Sequence, residues 1–525
     1  MARQRGVITL LRKYKDYNEN HSKNMKRKSP YQSTLLSLRL LSALLVSVAI
    51  IFTALFATAN PTKSTPHVAA QVPNPCALPF TPSSAVQEAW IDRYDGPNNY
   101  DDEATAIAVD SSGNVYVTGF SFDANTDYDY ATIKYNSAGQ RQWIARYDGA
   151  ANTDKATAIA VDLSGNVYVT GMSTTVTGGL DYATIKYNLA GQQQWVAYYD
   201  GSGTFDEDVA IGIAVDVSGN VYVTGSSRGS NSGFDYATIK YNSAGQQQWA
   251  ARYDGPIWND LAAAIAIDAS GNVYVAGSSL GDGSSVDYAT VKYNAAGQQQ
   301  WVARYDGPAS SDDKANAIAI DKTGNVYVAG YSNGSVGYDY ATIKYNAVGE
   351  QQWARRYDGP GHSDDTASAI VVDGLGNVYV TGSSRGSNFD YDYATIKYNS
   401  AGQQQWVRRY DGPVNNDDVA NSIAVDGSGN VYVTGSSNGP SYNYNYATIA
   451  YGPTGQQQWV AGYDGPGNWG DEAAAIVVDT LGDVYVTGTS YSSETDHDYA
   501  TVKYTQGPMP RPTPSGRPHP TPRPR

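Results

Sequence analysis

Pairs of aspartates recur along the chain at a spacing that could bind a divalent cation. One aspartate precedes a Tyr-Ala-Thr segment, and another follows in a Tyr-Asp-Gly segment. The pairs are Asp129 with Asp148, Asp181 with Asp200, Asp235 with Asp254 and Asp339 with Asp358. Each pair is expected at one end of two adjacent strands, where like charges repel unless a cation or hydrogen-bond donors intervene. Carboxylates and loop carbonyls are ligands that Ca²⁺ prefers, so Ca²⁺ is a candidate cofactor.

A structural role explains the same aspartates without a metal. Aspartate side chains accept backbone N–H bonds in turns and so cap them. No segment of the chain has the DxDxDG-type loop that makes a calcium motif specific. The sequence is consistent with both turn capping and Ca²⁺ binding by these aspartates. If they bind Ca²⁺, a calcium-stabilised adhesin is one alternative for the function of the protein.

Groups for nucleophilic or transition-metal chemistry are scarce. His362 and His497 fall at different positions of the repeated unit described below, and the single cysteine, Cys76, lies before it. A Ser-His-Asp or Cys-His arrangement, or a His/Cys metal site, therefore has few residues to draw on. We predict a non-catalytic protein. The alternative is a secreted glycan-acting hydrolase or lyase that uses carboxylates of the acidic loops.

The aspartates belong to a unit that occurs eight times. Eight of the ten tryptophans recur at intervals of 52 to 54 residues, from Trp90 to Trp459. Each unit has four short segments with strand-like alternation, such as ATAIAVD, NVYVTG, DYATIKYN and QQQWVARY, and none has a helical period. Four short strands per unit are typical of a β-propeller blade.

The two ends of the repeated region indicate how the ring closes. The segment around Trp90 is a lone outer strand, and the last unit stops at Tyr504 after its third strand. The first strand can therefore complete the last blade and leave no free edge. The sequence predicts an all-β fold, an eight-bladed propeller of four-stranded antiparallel blades over residues 86–504.

The connections between strands are of two kinds. Two links per unit are tight and uniform, whereas the other two are longer, variable and predicted to share one face. Variable loops on a rigid scaffold are the usual place for ligand contacts. Candidate binding residues in or beside these loops are Tyr331, Tyr338, Tyr442, Tyr444 and Tyr491. Ordinary surface tyrosine is the alternative for each of them.

The repeated segments DxxGNVYVTG and DYATIKYN, which recur with small changes over residues 90–504, resemble the bacterial SBBP β-propeller repeat family. The resemblance implies a propeller in a secreted or surface protein. It implies no particular activity, because the family has no shared catalytic motif to carry over. The family is named for seven-bladed propellers, and the count of eight departs from that name.

The chain ends differ from the repeated region in charge. Residues 1–59 carry +8 and residues 505–525 carry +4, which leaves −27 between them out of a total of −15. A repeated region with this much negative charge repels nucleic acid and anionic membranes. Residues 40–59 form an uncharged apolar run that ends in Ala-Thr-Ala, as expected of either a cleaved signal peptide or a retained membrane anchor.

These observations divide the chain into four regions. They are a basic N-terminal region with signal peptide or anchor (1–59), a Pro-rich spacer (60–85), the propeller (86–504) and a disordered Pro/Arg-rich tail (505–525). Translation starts at either Met1 or Met25. We predict an exported, monomeric propeller, outside the cytoplasm, that binds an extracellular protein or polysaccharide and no nucleic acid.

Overall fold

The computed structural model describes residues 86–123, 127–149, 153–176, 178–201, 207–229, 233–281, 285–334, 336–439, 443–467 and 469–506. The chain divides into two compact units, Met1–Pro79 and Phe80–Arg525, and every described residue belongs to the second. The predicted apolar segment, the spacer, Tyr442 and the tail after Gln506 lie outside the described residues. Within the described ranges, no helix is long and apolar enough to span a membrane.

Thirty-two strands form eight antiparallel sheets of four strands, and each sheet is one blade. We letter the strands of a blade A to D from the centre outwards. The A strands are β2 (Asp102–Val109), β6 (Asp154–Val161), β10 (Asp208–Val215), β14 (Asp260–Ile267), β18 (Asp313–Ile320), β22 (Asp365–Val372), β26 (Asp418–Val425) and β30 (Asp471–Val478). The B strands are β3 (Val115–Phe122), β7 (Val167–Thr174), β11 (Val221–Arg228), β15 (Val273–Leu280), β19 (Val326–Asn333), β23 (Val378–Arg385), β27 (Val431–Asn438) and β31 (Val484–Ser492).

The outer half of each blade consists of a C and a D strand. The C strands are β4 (Tyr128–Tyr135), β8 (Leu180–Tyr187), β12 (Phe234–Tyr241), β16 (Val286–Tyr293), β20 (Tyr338–Tyr345), β24 (Tyr391–Tyr398), β28 (Tyr444–Tyr451) and β32 (Asp496–Gln506). The D strands are β1 (Val86–Tyr94), β5 (Arg141–Tyr147), β9 (Gln193–Tyr199), β13 (Gln247–Tyr253), β17 (Gln299–Tyr305), β21 (Gln351–Tyr357), β25 (Gln404–Tyr410) and β29 (Gln457–Tyr463).

The ring closes through the first strand of the propeller. Blades 1 to 7 each use four consecutive strands, starting with β2–β5, whereas blade 8 consists of β30, β31, β32 and β1. β1 pairs antiparallel with β32, from Val86 opposite Gln506 to Tyr94 opposite Tyr499. The A strands of neighbouring blades contact one another around the ring, including β30 with β2. The predicted eight-bladed fold and its closure are confirmed.

Tight turns join A to B strands, and blade 4 shows why its sequence forms one. The Asp268 carboxylate accepts N–H bonds from Ser270 and Asn272 at 2.9 Å each and the Tyr274 hydroxyl at 3.0 Å. These bonds hold the pKa of Asp268 below its usual value even though burial opposes them. Gly271 has φ of +75°, a conformation that glycine adopts without steric cost.

The core lies between blades. One cluster joins Tyr222 and Tyr236 of blade 3 to Val273 and Val275 of blade 4, all fully buried. The repeated tryptophan of blade 3, Trp249, packs against this cluster with its ring 6.3 Å from Tyr222 and 6.3 Å from Tyr293. The copied tryptophans therefore stabilise blade contacts by burying apolar area.

Candidate functional site

The longer connections meet on one face of the ring. The DA loops, which join a D strand to the next A strand, and the BC loops form this loop face; the AB and CD turns form the opposite turn face. Contacts between the loops organise the face: the Leu280 amide at the end of β15 donates to the Asn259 carbonyl of a DA loop at 3.2 Å. The Val286 amide at the start of β16 donates to the Asp312 carboxylate at 3.2 Å.

The aspartate at the start of the C strand has an arginine partner in six blades. In blade 4, Arg304 donates to Asp287 at 2.8 Å, to the Ser279 side chain at 2.5 Å and to the Tyr253 hydroxyl of blade 3 at 3.2 Å. The same ion pair forms in the other five. The pairs are Arg93–Asp498, Arg146–Asp129, Arg252–Asp235, Arg304–Asp287, Arg356–Asp339 and Arg409–Asp392. The donor that the repulsion argument required is therefore arginine in these blades.

Two blades lack this arginine. Blade 7 has Gly462 in its place, and the C-strand residue is Asn445, so both members of the pair are replaced together. Blade 2 has Tyr198 in its place but keeps Asp181. Burial and the nearby Asp200 and Asp208 carboxylates raise the pKa of Asp181 to about 6.

A third aspartate, at the start of each A strand, completes the acidic groups. The predicted pair Asp129 and Asp148 lies together with Asp154, and the pair Asp181 and Asp200 lies together with Asp208, with one carboxylate oxygen of each within 4.8 Å of the others. The other two pairs are also close enough to interact electrostatically. Asp254 raises the pKa of Asp235, and Asp358 raises that of Asp339, in each case after the larger effect of burial.

The aspartates of the Tyr-Asp-Gly segments and those of the A strands differ in exposure. Asp148, Asp200, Asp254 and Asp358 are exposed. The A-strand aspartates are fully buried and accept a glycine N–H, as Asp260 does from Gly255 at 2.6 Å. Turn capping is therefore the role of the A-strand aspartates.

One acidic group, the closure triad, lies where blades 8 and 1 meet. It consists of Asp95, Asp102 and Asp498, whose carboxylate oxygens lie within 4.8 Å of one another. One oxygen of each is buried and has no hydrogen-bond partner among the described residues. Burial raises the pKa of Asp102 to about 7, and it also raises the pKa values of Asp95 and Asp498.

The four predicted tyrosines that the structure describes are half-buried. Tyr331 and Tyr338 of blade 5 contact each other edge-to-face with ring centres 4.7 Å apart. Tyr444 is half-buried at the start of β28, and Tyr491 lies between Trp469, at 5.8 Å, and His497, at 5.3 Å. The four described tyrosines are thus at the loop face, but they do not form one cluster.

Among the described residues, the most exposed aromatic side chains of the loop face were not predicted. They are Phe389, Trp469, Trp258 and Tyr100, which are 68%, 67%, 64% and 56% exposed. The sequence carried a signal for two of them, because Trp258 and Trp469 are the tryptophans that fall outside the repeat register. The prediction considered only loops between B and C strands, whereas three of these four residues lie in DA loops.

A cavity of about 390 Å³ lies on the turn face between blades 5 and 6. Its polar side chains include Asp321, Lys344 and Asp373. They already have partners: Asp373 accepts N–H bonds from its own turn at 2.9 Å, and Lys344 donates to the Ser400 carbonyl at 3.0 Å. The cavity therefore offers a ligand few groups that remain to be satisfied.

The repeat sequence identifies the family. The SBBP β-propeller repeat model matches residues 93–121, 142–175, 194–231, 300–337, 352–390 and 405–443. The chain belongs to the SBBP β-propeller repeat family. Each matched segment of this SBBP protein runs from a D strand towards the B or BC region of the following blade.

Curated relatives share only part of their length with this SBBP chain. It is 33% identical over 123 residues to the regulatory protein FlaEY of Caulobacter vibrioides, which covers 20% of this chain and 13% of that protein. It is 24% identical over 464 residues to the uncharacterized WD repeat-containing protein L264 of Acanthamoeba polyphaga mimivirus, which covers 70% of this chain and 32% of that protein. Among solved structures, the BP39L lectin of Burkholderia pseudomallei is 13% identical, with a TM-score of 0.43 over 70% of this chain and 100% of the lectin chain.

Proposed function

We propose that this protein is an exported, non-catalytic propeller whose loop face binds an extracellular protein or polysaccharide. The observation that carries the proposal is the contrast between the two parts of each unit. The strands, arginine pairs and tight turns are nearly identical around the ring, whereas exposed aromatic residues occur in some loops only. Large exposed aromatic side chains on a rigid scaffold are typical of binding surfaces.

The position of the carboxylates supports a binding role over glycan hydrolysis. A glycosidase needs two carboxyl groups that flank a bound sugar. In the closure triad, Asp102 is fully buried and Asp498 is 2% exposed, so a sugar ring has no access between them. The exposed aspartates Asp148, Asp200, Asp254 and Asp358 of the Tyr-Asp-Gly segments belong to four different blades around the ring.

The positions of Val86 and Gln506 fit this arrangement. Val86 pairs with Gln506, and the Gln506 side chain contacts the Gly482 carbonyl of an AB turn at 3.5 Å. Both ends of the described chain therefore lie at the turn face.

The test compares variants of the two faces in the full chain. Trp469→Ala with Phe389→Ala removes exposed rings from the loop face, and Leu481→Ala with Val217→Ala removes side chains that are 85% and 87% exposed on the turn face. Binding to an array of glycans and surface proteins should fall at least tenfold for the first pair only, which is about 1.4 kcal/mol. An equal loss of binding in the turn-face pair would contradict the proposal. Export is tested separately, by protease digestion of intact cells.

Calcium stabilisation is a second candidate, and the closure triad favours it. Arg93 donates to one oxygen of Asp498 and Gly96 donates to one oxygen of Asp102, but the other oxygen of each, and one oxygen of Asp95, are buried without a partner among the described residues. Such oxygens are costly unless a cation or proton binds them. Ca²⁺ accepts such oxygen ligands. Asp95, Asp102 and Asp498 would hold the ion. They are a candidate site in addition to the aspartate pairs predicted in other blades.

The calcium hypothesis is tested by melting the protein with excess Ca²⁺ and with a chelator. A ligand that binds only the folded state raises the melting temperature, Tm, as its concentration exceeds its dissociation constant. The rise should be smaller in Asp95→Asn than in Asp464→Asn, the equivalent change in the preceding blade. An identical Tm with Ca²⁺ and with chelator would exclude the idea.

A further inference from the structure

Equivalent loop positions carry aromatic rings in two neighbouring blades. In blade 8, Tyr491 near the end of the B strand contacts His497 near the start of the C strand, and Trp469 of the DA loop packs on Tyr491. In blade 1, Phe122 and Tyr128 occupy the same two positions and contact each other at 5.2 Å. Tyr100 of the DA loop packs on Phe122 at 5.2 Å.

The two aromatic groups are joined across the blade junction. The His497 imidazole lies 2.9 Å from the carboxylate of Asp101, the residue after Tyr100. That hydrogen bond raises the pKa of His497. We call the surface formed by Trp469, Tyr491, His497, Tyr100 and Phe122 the aromatic platform; it lies at the point where the ring closes.

Among the residues that the structure describes, no other junction shows this arrangement. The DA-loop position that holds Tyr100 and Trp469 holds a third aromatic residue, Trp258, beside blade 4, but the B- and C-strand positions there are Leu280 and Val286. In the sequence, the other units have a small or polar residue two positions before the A-strand aspartate. These are Asn152, Asp206, Ser311, Ser363 and Asn416.

The outer rings of the platform are held open to solvent. Trp469 is 67% exposed and Tyr100 is 56% exposed, although each is packed edge-on or tilted against a half-buried ring beneath it. Rigid support keeps the rings available and lowers the conformational entropy that binding would cost. Carboxylates and the imidazole beside them supply polar contacts, from Asp101, Asp496 and His497.

We propose that the aromatic platform binds a neutral polysaccharide, which deepens the proposed function and rests on it. The apolar C–H faces of pyranose rings can stack on flat aromatic side chains, and the hydroxyls at their rim can donate to carboxylates such as Asp101 and Asp496. The net charge of the body is strongly negative, and acidic side chains border the platform, so anionic polysaccharides are repelled. The exposed apolar residues of the platform are rings. Exposed aliphatic residues lie elsewhere, as Leu163, Leu375 and Leu481 do on the turn face and Val176 and Val336 do in BC loops of other blades.

The experiment measures binding of the full chain to neutral hexasaccharides of glucose, mannose, xylose and N-acetylglucosamine, with polygalacturonate and heparin as anionic probes. At least one neutral probe should bind, and both anionic probes should not. Trp469→Ala and Tyr100→Ala should each weaken that binding at least tenfold. Trp258→Ala is the matched control, since it removes an equally exposed tryptophan from the same loop position without the flanking rings, and it should leave binding unchanged.

Three results would overturn the platform assignment. They are no binding of any neutral probe, equal loss in the Trp258→Ala control, or unchanged binding in Trp469→Ala after its folding has been checked by Tm. A surface protein that binds the wild type and is lost in the loop-face variants would also overturn the polysaccharide assignment, while leaving the loop-face function intact. Loss of all binding only through turn-face substitutions would reject both.

Discussion

At the scale of single residues, the acidic loop face is held together by arginine. Each arginine of the six pairs contacts the aspartate and a serine of its own blade, and in blade 4 it also reaches a tyrosine hydroxyl of the preceding blade. These bonds link the outer parts of neighbouring blades. Blade 7 lacks both charges and blade 2 keeps Asp181 without the arginine, so a blade forms without this ion pair.

Arg304→Ala should destabilise the protein by about 2 kcal/mol, because it leaves the Asp287 carboxylate without its charged donor. The double variant Arg304→Ala with Asp287→Asn, which follows the chemistry of blade 7, should lose less than the single variant. Thermal melting of both measures this. Lys322→Ala, at an exposed position, is the control for loss of positive charge.

A double variant as unstable as, or less stable than, Arg304→Ala would contradict this account. It would mean that the arginine acts through Tyr253 and Ser279 rather than through Asp287.

Part of the site could be predicted from residue types alone. The aspartates were noticeable because they recur, and the repulsion argument left a cation and a hydrogen-bond donor as alternatives. In six blades an arginine donates to the C-strand aspartate. The arginine was missed because it lies in a strand, WVARYDG, whose other residues pack into the core. The closure triad was missed because Asp95 and Asp498 are 403 positions apart in the sequence and meet only when the ring closes.

At the scale of strands and turns, seven of the eight D-strand tryptophans, all except Trp459, pack over a glycine in the CD turn of the next blade. A Cβ atom on Gly349, in the CD turn of blade 5, would lie 2.7 Å from the Trp301 ring of blade 4. The Trp301 indole N–H also donates to the Ala347 carbonyl of that turn at 3.2 Å. The glycine is therefore required both for its φ of +87° and for the close approach of the ring.

Gly349→Ala should destabilise the protein by about 1–2 kcal/mol for the positive φ and about 1–3 kcal/mol more for the contact with Trp301. Gly482→Ala separates the two effects, because Gly482 has φ of +85° and no atom within 4 Å of its Cβ position. Chemical denaturation of both variants measures the difference. Equal losses would show that the tryptophan moves aside at no cost.

The strands were predictable because the same four strand patterns recur in every unit. Alternation, turn glycines and the tryptophan interval agree in all eight copies, so a pattern that is ambiguous in one unit can be assigned from the other units. The loops were less predictable, since each occurs once and its conformation depends on neighbours from other blades. The exposure of Trp469 follows from its support by Tyr491, a contact that no local pattern indicates.

At the scale of the whole molecule, one strand holds the ring closed. Deleting residues 86–94 would remove β1 and leave the edge of β32 unpaired, with Asp498 deprived of Arg93. We expect Tm to fall by about 5 °C or more and the protein to associate through the free edge. Adding the peptide VQEAWIDRY should restore part of the Tm, and a scrambled peptide should not. An unchanged Tm after deletion would contradict closure by this strand.

The acidic groups of the ring also act together on the pH dependence of stability. Burial raises the pKa of Asp102 to about 7 and those of Asp154 and Asp418 to about 6. A carboxyl group whose pKa is higher in the folded state binds its proton more tightly there, so stability rises as pH falls from above 7 towards 4. His497 acts in the same direction, because its raised pKa stabilises the fold at low pH and that contribution is lost as pH rises.

The AB-turn aspartates oppose this trend at the acid end. Hydrogen bonds lower the pKa of Asp321 to about 2, and they lower that of Asp268 as well, so their stabilisation is lost as pH falls below 4. Tm in chelator should therefore be higher at pH 5 than at pH 8 and should fall again below pH 4. Asp102→Asn keeps an acceptor for Gly96 and removes one buried charge, so it should raise Tm at pH 8 more than at pH 5. A wild-type Tm that is highest at pH 8 would mean that a positive charge neutralises the buried carboxylates. If stronger chelation then restored the highest Tm to pH 5, that charge would be identified as a metal ion.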